Sequence, residues 1–121
     1  MNLESILISI RGRLGPSETY EHFDGDIIQE INTAFSVLHQ LGVGPKQGFA
    51  IGDDSNEWNE FTENIIVQNM VRDYVYLSAK LVFDPPENST LLQSMQKRKD
   101  ELEQRLIIAV EFPNEEVDSD E

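Results

Sequence analysis

The pair Pro85-Pro86 constrains this chain more than any other feature. A proline has no backbone N–H, its ring fixes φ, and it pushes the residue before it into extended geometry. No helix can therefore run through K-L-V-F-D-P-P, residues 80–86. Long apolar segments nevertheless lie on both sides. Residues 64–83 contain I-I-V-Q-N-M-V-R-D-Y-V-Y-L-S-A-K-L-V-F, which is too long for an ordinary strand despite its β-branched residues and the Y-V-Y-L alternation. Apolar positions run nearly all round the corresponding helix. It should be the central, most buried element, with Arg72, Asp73 and Lys80 marking its least buried face. After the prolines, Asn88 or Ser89 can cap a last helix, with Leu91, Leu92, Met95, Leu102, Leu106, Ala109 and Val110 as its stripe. Glu101 and Arg105 are an i, i+4 pair on it, worth about 0.2–0.5 kcal/mol. The elbow Asp84-Pro85-Pro86 thus predicts a helical hairpin, and its stiffness reduces the entropy lost on folding.

Upstream, Leu3, Ile6, Leu7, Ile10 and Leu14 share one helical face, which stops around residues 12–16. Residues 15–26 are polar and turn-rich, with Phe23 expected to tuck them onto the core. Asp24 or Asp26 can cap the next helix, with Gln29 in a capping-box position after Asp26. Its stripe is Ile27, Ile28, Ile31, Ala34, Phe35, Leu38 and Leu41, and Gly42 is free to take a positive φ and end it. The glycines and proline of G-V-G-P-K-Q-G-F-A-I-G-D-D-S-N exclude a long helix. The F-A-I piece fits either a strand or a buried loop, so at most a minor β-hairpin is expected. Trp58 and Phe61 are expected to plug the core from one short turn.

The expected fold is mainly α: a small helical bundle of about four helices over residues 1–110. An acidic C-terminal tail, residues 111–121, follows it. The tail has acids and no base. Solvated and mobile is its simplest description, although Phe112 and Val117 could anchor it to something.

Composition limits function mostly by exclusion. A chain of 121 residues with 39% hydrophobic residues suits one modest core. No apolar run approaches the roughly 20 residues of a membrane span. The opening M-N-L-E-S-I-L-I-S-I has no basic leader or small-residue cleavage site, so no secretory signal is expected. Cysteine is absent, which removes disulfides, thiolate metal sites and thiol nucleophiles and suits a reducing cytoplasm. Neither histidine, His22 or His39, stands in nucleophile or zinc-ligand spacing. The acidic stretch from Asp53 fails a calcium loop, with Trp58 where glycine is needed and Asn64 where glutamate is needed. G-V-G-P-K lacks phosphate-loop spacing and reads as a turn after a helix. Asn88-Ser89-Thr90 matches a glycosylation sequon but reads as a helix cap. No catalytic, cofactor-binding or metal-binding residue is expected, and the chain is not read as an enzyme.

The formal charge of −14 should repel phosphate backbones and anionic membranes. Against it, Lys97, Arg98 and Lys99 form the one basic cluster. They fit either a contact with an acidic partner or DNA, or a solvated turn partly neutralised by Asp100 and Glu101.

Two stretches carry a family resemblance. D-I-I-Q-E-I-N-T-A-F-S-V-L-H-Q-L-G-V-G-P, residues 26–45, resembles the I-N-x-A-F-x-x-L-x-Q-L-G-V-G-P segment of small proteins encoded by tailed phages. R-D-Y-V-Y-L-S-A-K-L-V-F-D-P-P, residues 72–86, resembles their Y-x-Y-L-x-x-[RK]-L-x-F-D-P-P segment, and the helix with E-L-E-Q-R-L also fits. The match runs over roughly residues 3–108; the acidic tail has no counterpart. The family is that of head–tail connector (adaptor, head-completion) proteins of phages with long non-contractile tails. The resemblance implies a mostly helical subunit and a homo-oligomeric ring, usually dodecameric. It also implies a virion location at the head–tail junction after synthesis in the host bacterial cytoplasm. Such a ring docks beneath the portal protein, extends the DNA channel without specific DNA binding, and meets a tail or stopper protein.

The charge is consistent with such a role, since carboxylates facing a passage keep DNA from sticking. They also make identical subunits repel, so apolar contacts or the few bases must compensate. Lys97, Arg98, Lys99 and Arg105 are then candidates for contacts to a neighbouring subunit or the portal, with the last helix and Phe112 as a docking element. The alternative is an acidic regulator or DNA mimic that covers a basic nucleic-acid-binding surface.

Overall fold

Ser5 opens the first helix by accepting the Ile8 N–H on its hydroxyl at 3.2 Å. The computed structural model describes residues 5–15 and 20–111. In it, α1 (Ile6–Leu14) buries Ile6, Leu7, Ile10 and Leu14, the expected stripe within the described residues. The helix stops at Leu14, inside the expected 12–16, with Gly15 at its C-cap. A 3₁₀ turn (Glu21–Phe23) leads into α2 (Asp24–Gln40). Here two expectations fail. Phe23 is exposed, and no side chain caps α2. Asp24 and Asp26 sit in the first turn instead, where carboxylates still favour the positive helix end. Asp24 is drawn there by Arg11 of α1, whose Nη1 donates to both carboxylate oxygens at 2.7 Å.

The other end of α2 behaves as expected. Gly42 has φ +84°, its N–H bonds the His39 carbonyl at 3.0 Å, and the Val43 N–H bonds the Leu38 carbonyl at 2.9 Å. This is the double closure of a Schellman motif, and Leu38 and Val43 are both buried beside it. The chain then runs as a loop to residue 57, and among the described residues the allowed hairpin does not form. Asn32 of α2 removes the need for a paired strand. Its Nδ2 donates to the Ile51 carbonyl at 3.0 Å, and its Oδ1 accepts the Ile51 N–H at 2.8 Å. An isolated antiparallel bridge joins Ser5 to Glu57.

The short α3 (Trp58–Phe61) is fixed by reciprocal bonds between Glu57 and Glu60, a capping box. It delivers the two expected core plugs. Phe61 stacks on Phe35 at 5.0 Å between ring centroids, Phe49 meets Phe35 edge-on at 5.0 Å, and Trp58 donates its indole N–H to Ser9 Oγ at 2.9 Å.

Asn64 then caps α4 (Ile65–Phe83), accepting from the N–H groups of Ile66 and Val67. This helix packs against α1, α2, α3 and the last helix, so it is the central rod that its all-round apolar pattern predicts. Its outermost positions are not the expected charges. Asn69 and the apolar Ile65, Ile66 and Val82 are more exposed, the last three by 60%, 59% and 57%. The charged side chains have found partners instead. Arg72 lies over the Trp58 ring at 5.4 Å, Asp73 meets two arginines, and Lys80 bonds Asp84 at 2.7 Å.

At the elbow, the Asp84 N–H closes α4 on the Lys80 carbonyl at 2.9 Å. Asn88 starts α5 (Ser89–Glu111), accepting the Leu91 N–H on Oδ1 at 3.0 Å. α5 folds back along α4 as a helical hairpin. Leu102 and Leu106 are fully buried, whereas Leu91 is exposed and Leu92 and Met95 are half-buried. The first half of the stripe is therefore only partly covered. Glu111 ends α5, and Phe112 with the rest of the acidic tail lies outside the described residues. Among the described residues no helix is long and apolar enough to cross a membrane.

Candidate assembly surface

Three helices meet along the outer side of α4. Asp73 lies there between Arg13 of α1 and Arg98 of α5: Arg13 Nη1 donates to its Oδ1 at 3.2 Å, and Arg98 Nη2 lies 3.5 Å from its Oδ2. One turn further on, Tyr76 receives the Arg13 guanidinium on its ring face, 4.0 Å from the centroid. With Leu77 these residues line an open pit of about 250 Å³.

The basic cluster read from the sequence is divided by the helix that carries it. Successive helical residues are turned by about 100°, so three in a row cannot form one face. Lys97 and Arg98 are exposed, and Arg98 reaches back to Asp73. Lys99 is half-buried, its Nζ 5.4 Å from the Tyr74 ring centroid. Tyr74 is buried and donates its hydroxyl to Glu103 Oε2 at 2.7 Å. Burial first, then that bond and the neighbouring carboxylates, push the phenol well above its usual range. Burial likewise raises the Glu30 carboxyl, opposed by the positive charge of Lys99. Arg105 is exposed and lies two turns beyond Arg98 on the same side of α5. Among the described residues no ion pair joins it to Glu101; pairs that do form include Arg11–Asp24, Arg13–Asp73, Lys80–Asp84 and Arg98–Asp73.

Acid is concentrated elsewhere. Residues 53–63 carry Asp53, Asp54, Glu57, Glu60 and Glu63, all exposed, with no Lys or Arg among them. Asp53 accepts from the hydroxyl and then the backbone N–H of Ser55, which hold its carboxyl below the ordinary range. Glu57 and Glu60 close the α3 cap. Among the described residues no group of three His, Asp or Glu is placed to hold a metal ion. His22 is exposed, and His39 Nε2 lies 2.9 Å from the Lys46 carbonyl. An open groove of about 390 Å³ lies at the far end of α5, bordered by Pro45, Phe61, Val67, Ala109 and Val110.

Sequence reasoning did not single out Arg13 or Tyr76. Sixty residues separate Arg13 from Asp73, and only the packing of α1 on α4 joins them. The available signal was the scarcity of bases, nine against 23 acids, which makes the setting of each one informative.

Comparison with known proteins finds one family. A family model described as "Phage connector protein" matches residues 6–112. Neither the curated proteins nor the solved structures gave a match.

Proposed function

Because the chain belongs to the phage connector protein family, we propose that it is a structural virion protein that joins head to tail as a ring beneath the portal. The observation that carries this reading is the extent of the family match. Residues 6–112 take in every described helix and the proline elbow, the parts that give the subunit its shape. In this reading the ring is a homo-oligomer, a dodecamer like those of the connectors it resembles. It extends the DNA channel and presents its far face to a tail or stopper protein. The chain has no catalytic step to perform.

The charge supports the same role. Lys and Arg contacts to phosphates release counterions and bind DNA, and an excess of 23 acids over nine bases works against such binding. DNA then passes without specific contact. Lys97, Arg98, Lys99 and Arg105 serve as docking groups toward a neighbouring copy or the portal, and Phe112 adds an apolar anchor at the end of α5.

The net charge of −14 also favours a second reading, an acidic mimic that covers a basic nucleic-acid-binding protein. Pull-down with the full chain separates the two. The connector reading predicts capture of the portal assembly of the same phage, with several copies retained per portal. Capture of a DNA-binding enzyme and no portal would overturn it in favour of the mimic.

A further inference from the structure

The pit on α4 has an unusual charge for this chain. Two guanidiniums, Arg13 and Arg98, share the single carboxylate of Asp73, so the local sum is positive on a molecule of net −14. A guanidinium has five N–H donors, and Asp73 engages few of them. Both arginine side chains remain open to solvent, at 48% and 63% exposure. Arg13 is nonetheless held in position, by Asp73 and by the face of Tyr76, while Arg98 lies 3.5 Å from Asp73. Pre-placed donors lose less entropy when they bind than free surface side chains do.

We infer that this pit is the receiving half of a subunit contact, and that it takes a carboxylate from residues 53–63 of a second copy of the chain. The inference rests on the ring reading and specifies which faces meet. Charge complementarity points to this occupant. Residues 53–63 bring five exposed acids and no base, and Asp54 and Glu63 are not engaged in the local bonds that hold Asp53, Glu57 and Glu60.

Placement points the same way. The acidic stretch lies at the N-terminal end of α4, joined to the start of α1 by the Ser5–Glu57 bridge. Asp73 lies nine residues beyond the Asn64 cap, roughly 14 Å further along the helix. Donor and acceptor patches are therefore different places on one subunit. A twofold pair would also match base with acid, at two equivalent contacts, but it closes at two copies. Head-to-tail copies set base against acid at every contact, the arrangement that builds a ring. Guanidinium–carboxylate bonds are among the stronger polar contacts, and each such contact also removes one source of repulsion between acidic copies.

The test uses the full-length chain with its portal assembly, read by mass photometry. Four forms are compared: wild type, R13E/R98E, R13Q/R98Q and D54K/E63K. Wild type should assemble. R13E/R98E and D54K/E63K should each fail alone, while R13Q/R98Q should assemble about tenfold more weakly or worse. An equal mixture of R13E/R98E and D54K/E63K should assemble again, because each pit then meets a loop of opposite sign. Wild type that forms no oligomer would remove the ring reading itself. A wild-type ring with undiminished assembly of R13Q/R98Q or D54K/E63K would overturn this contact and leave the ring reading standing. Failure of the mixture to recover would overturn the pairing of these two patches. D54K/E63K changes side chains that make no hydrogen bond or ion pair among the described residues, so its result does not depend on how the arginine variants fold.

Discussion

Asn32 does for the loop at Ile51 what a neighbouring strand would otherwise do. It satisfies both backbone groups of one residue from a half-buried position. Asn32→Ala should lower stability in urea by about 2–3 kcal/mol, since two bonds are lost and two backbone groups are left under cover. Asn32→Asp keeps the acceptor but turns a carboxylate oxygen toward the Ile51 carbonyl, so at neutral pH it should cost at least as much as alanine. Glycine offers a second test. Gly42 has φ +84° with nothing near a would-be Cβ, so Gly42→Ala should cost about 1–2 kcal/mol from backbone strain alone. At Gly44, with φ +98°, a Cβ would come within 2.5 Å of the Phe61 ring, so Gly44→Ala should cost more in the same assay. Tyr74 gives a pH test. Its phenol is raised in the folded state, so the folded chain holds that proton more tightly than the unfolded one. The resulting stabilisation is complete below the ordinary value of 10.0 and is lost as pH rises through the higher folded value. Alkaline denaturation curves should show this slope in wild type and lose it in Tyr74→Phe.

At the scale of elements, the hairpin of α4 and α5 is held mainly by its lower half. Leu106→Ala should cost about 2–5 kcal/mol, whereas Leu91→Ala, at an exposed site, should stay within about 0.5 kcal/mol. Replacing Pro85 and Pro86 together by alanine should cost about 1–2 kcal/mol, chiefly by loosening the unfolded chain. The helices themselves were legible in the sequence because each signal was local. The 3.6-residue period gave α1 and α2, length gave α4, the two prolines gave the elbow, Gly42 gave the α2 stop, and Asn88 or Ser89 was marked as the α5 cap, a role Asn88 takes. Where distant partners act, local signals were not enough. Asp24 is not a cap because Arg11, thirteen residues away, takes its carboxylate. For the F-A-I segment, left open between strand and buried loop, the loop holds because Asn32 bonds Ile51 across nineteen residues. The charges on α4 are not its most exposed residues because Trp58, Arg13, Arg98 and Asp84 hold them down. Arg98 was legible as a candidate contact; the pit around it was not, because three separate helices build it.

For the whole molecule, the charge pattern matters more than its sum. One end of α4 is acidic, its middle offers spare arginine donors, and the two cannot meet within one subunit. Raising ionic strength from about 0.1 M to 1 M shortens the screening length from roughly 10 Å to 3 Å. It should therefore weaken copy-to-copy contacts made through the arginine pit, read as a fall in ring occupancy by mass photometry. Apolar contacts through Ile65, Ile66 or Val82 would respond oppositely, gaining strength in sulfate. The most direct measurement is electron microscopy of the full chain mixed with the portal assembly. The account predicts a closed ring of identical copies, coaxial with the portal, each showing the α4–α5 hairpin and together extending the channel. Single copies scattered on the portal, or portals with no added ring at saturating protein, would contradict it.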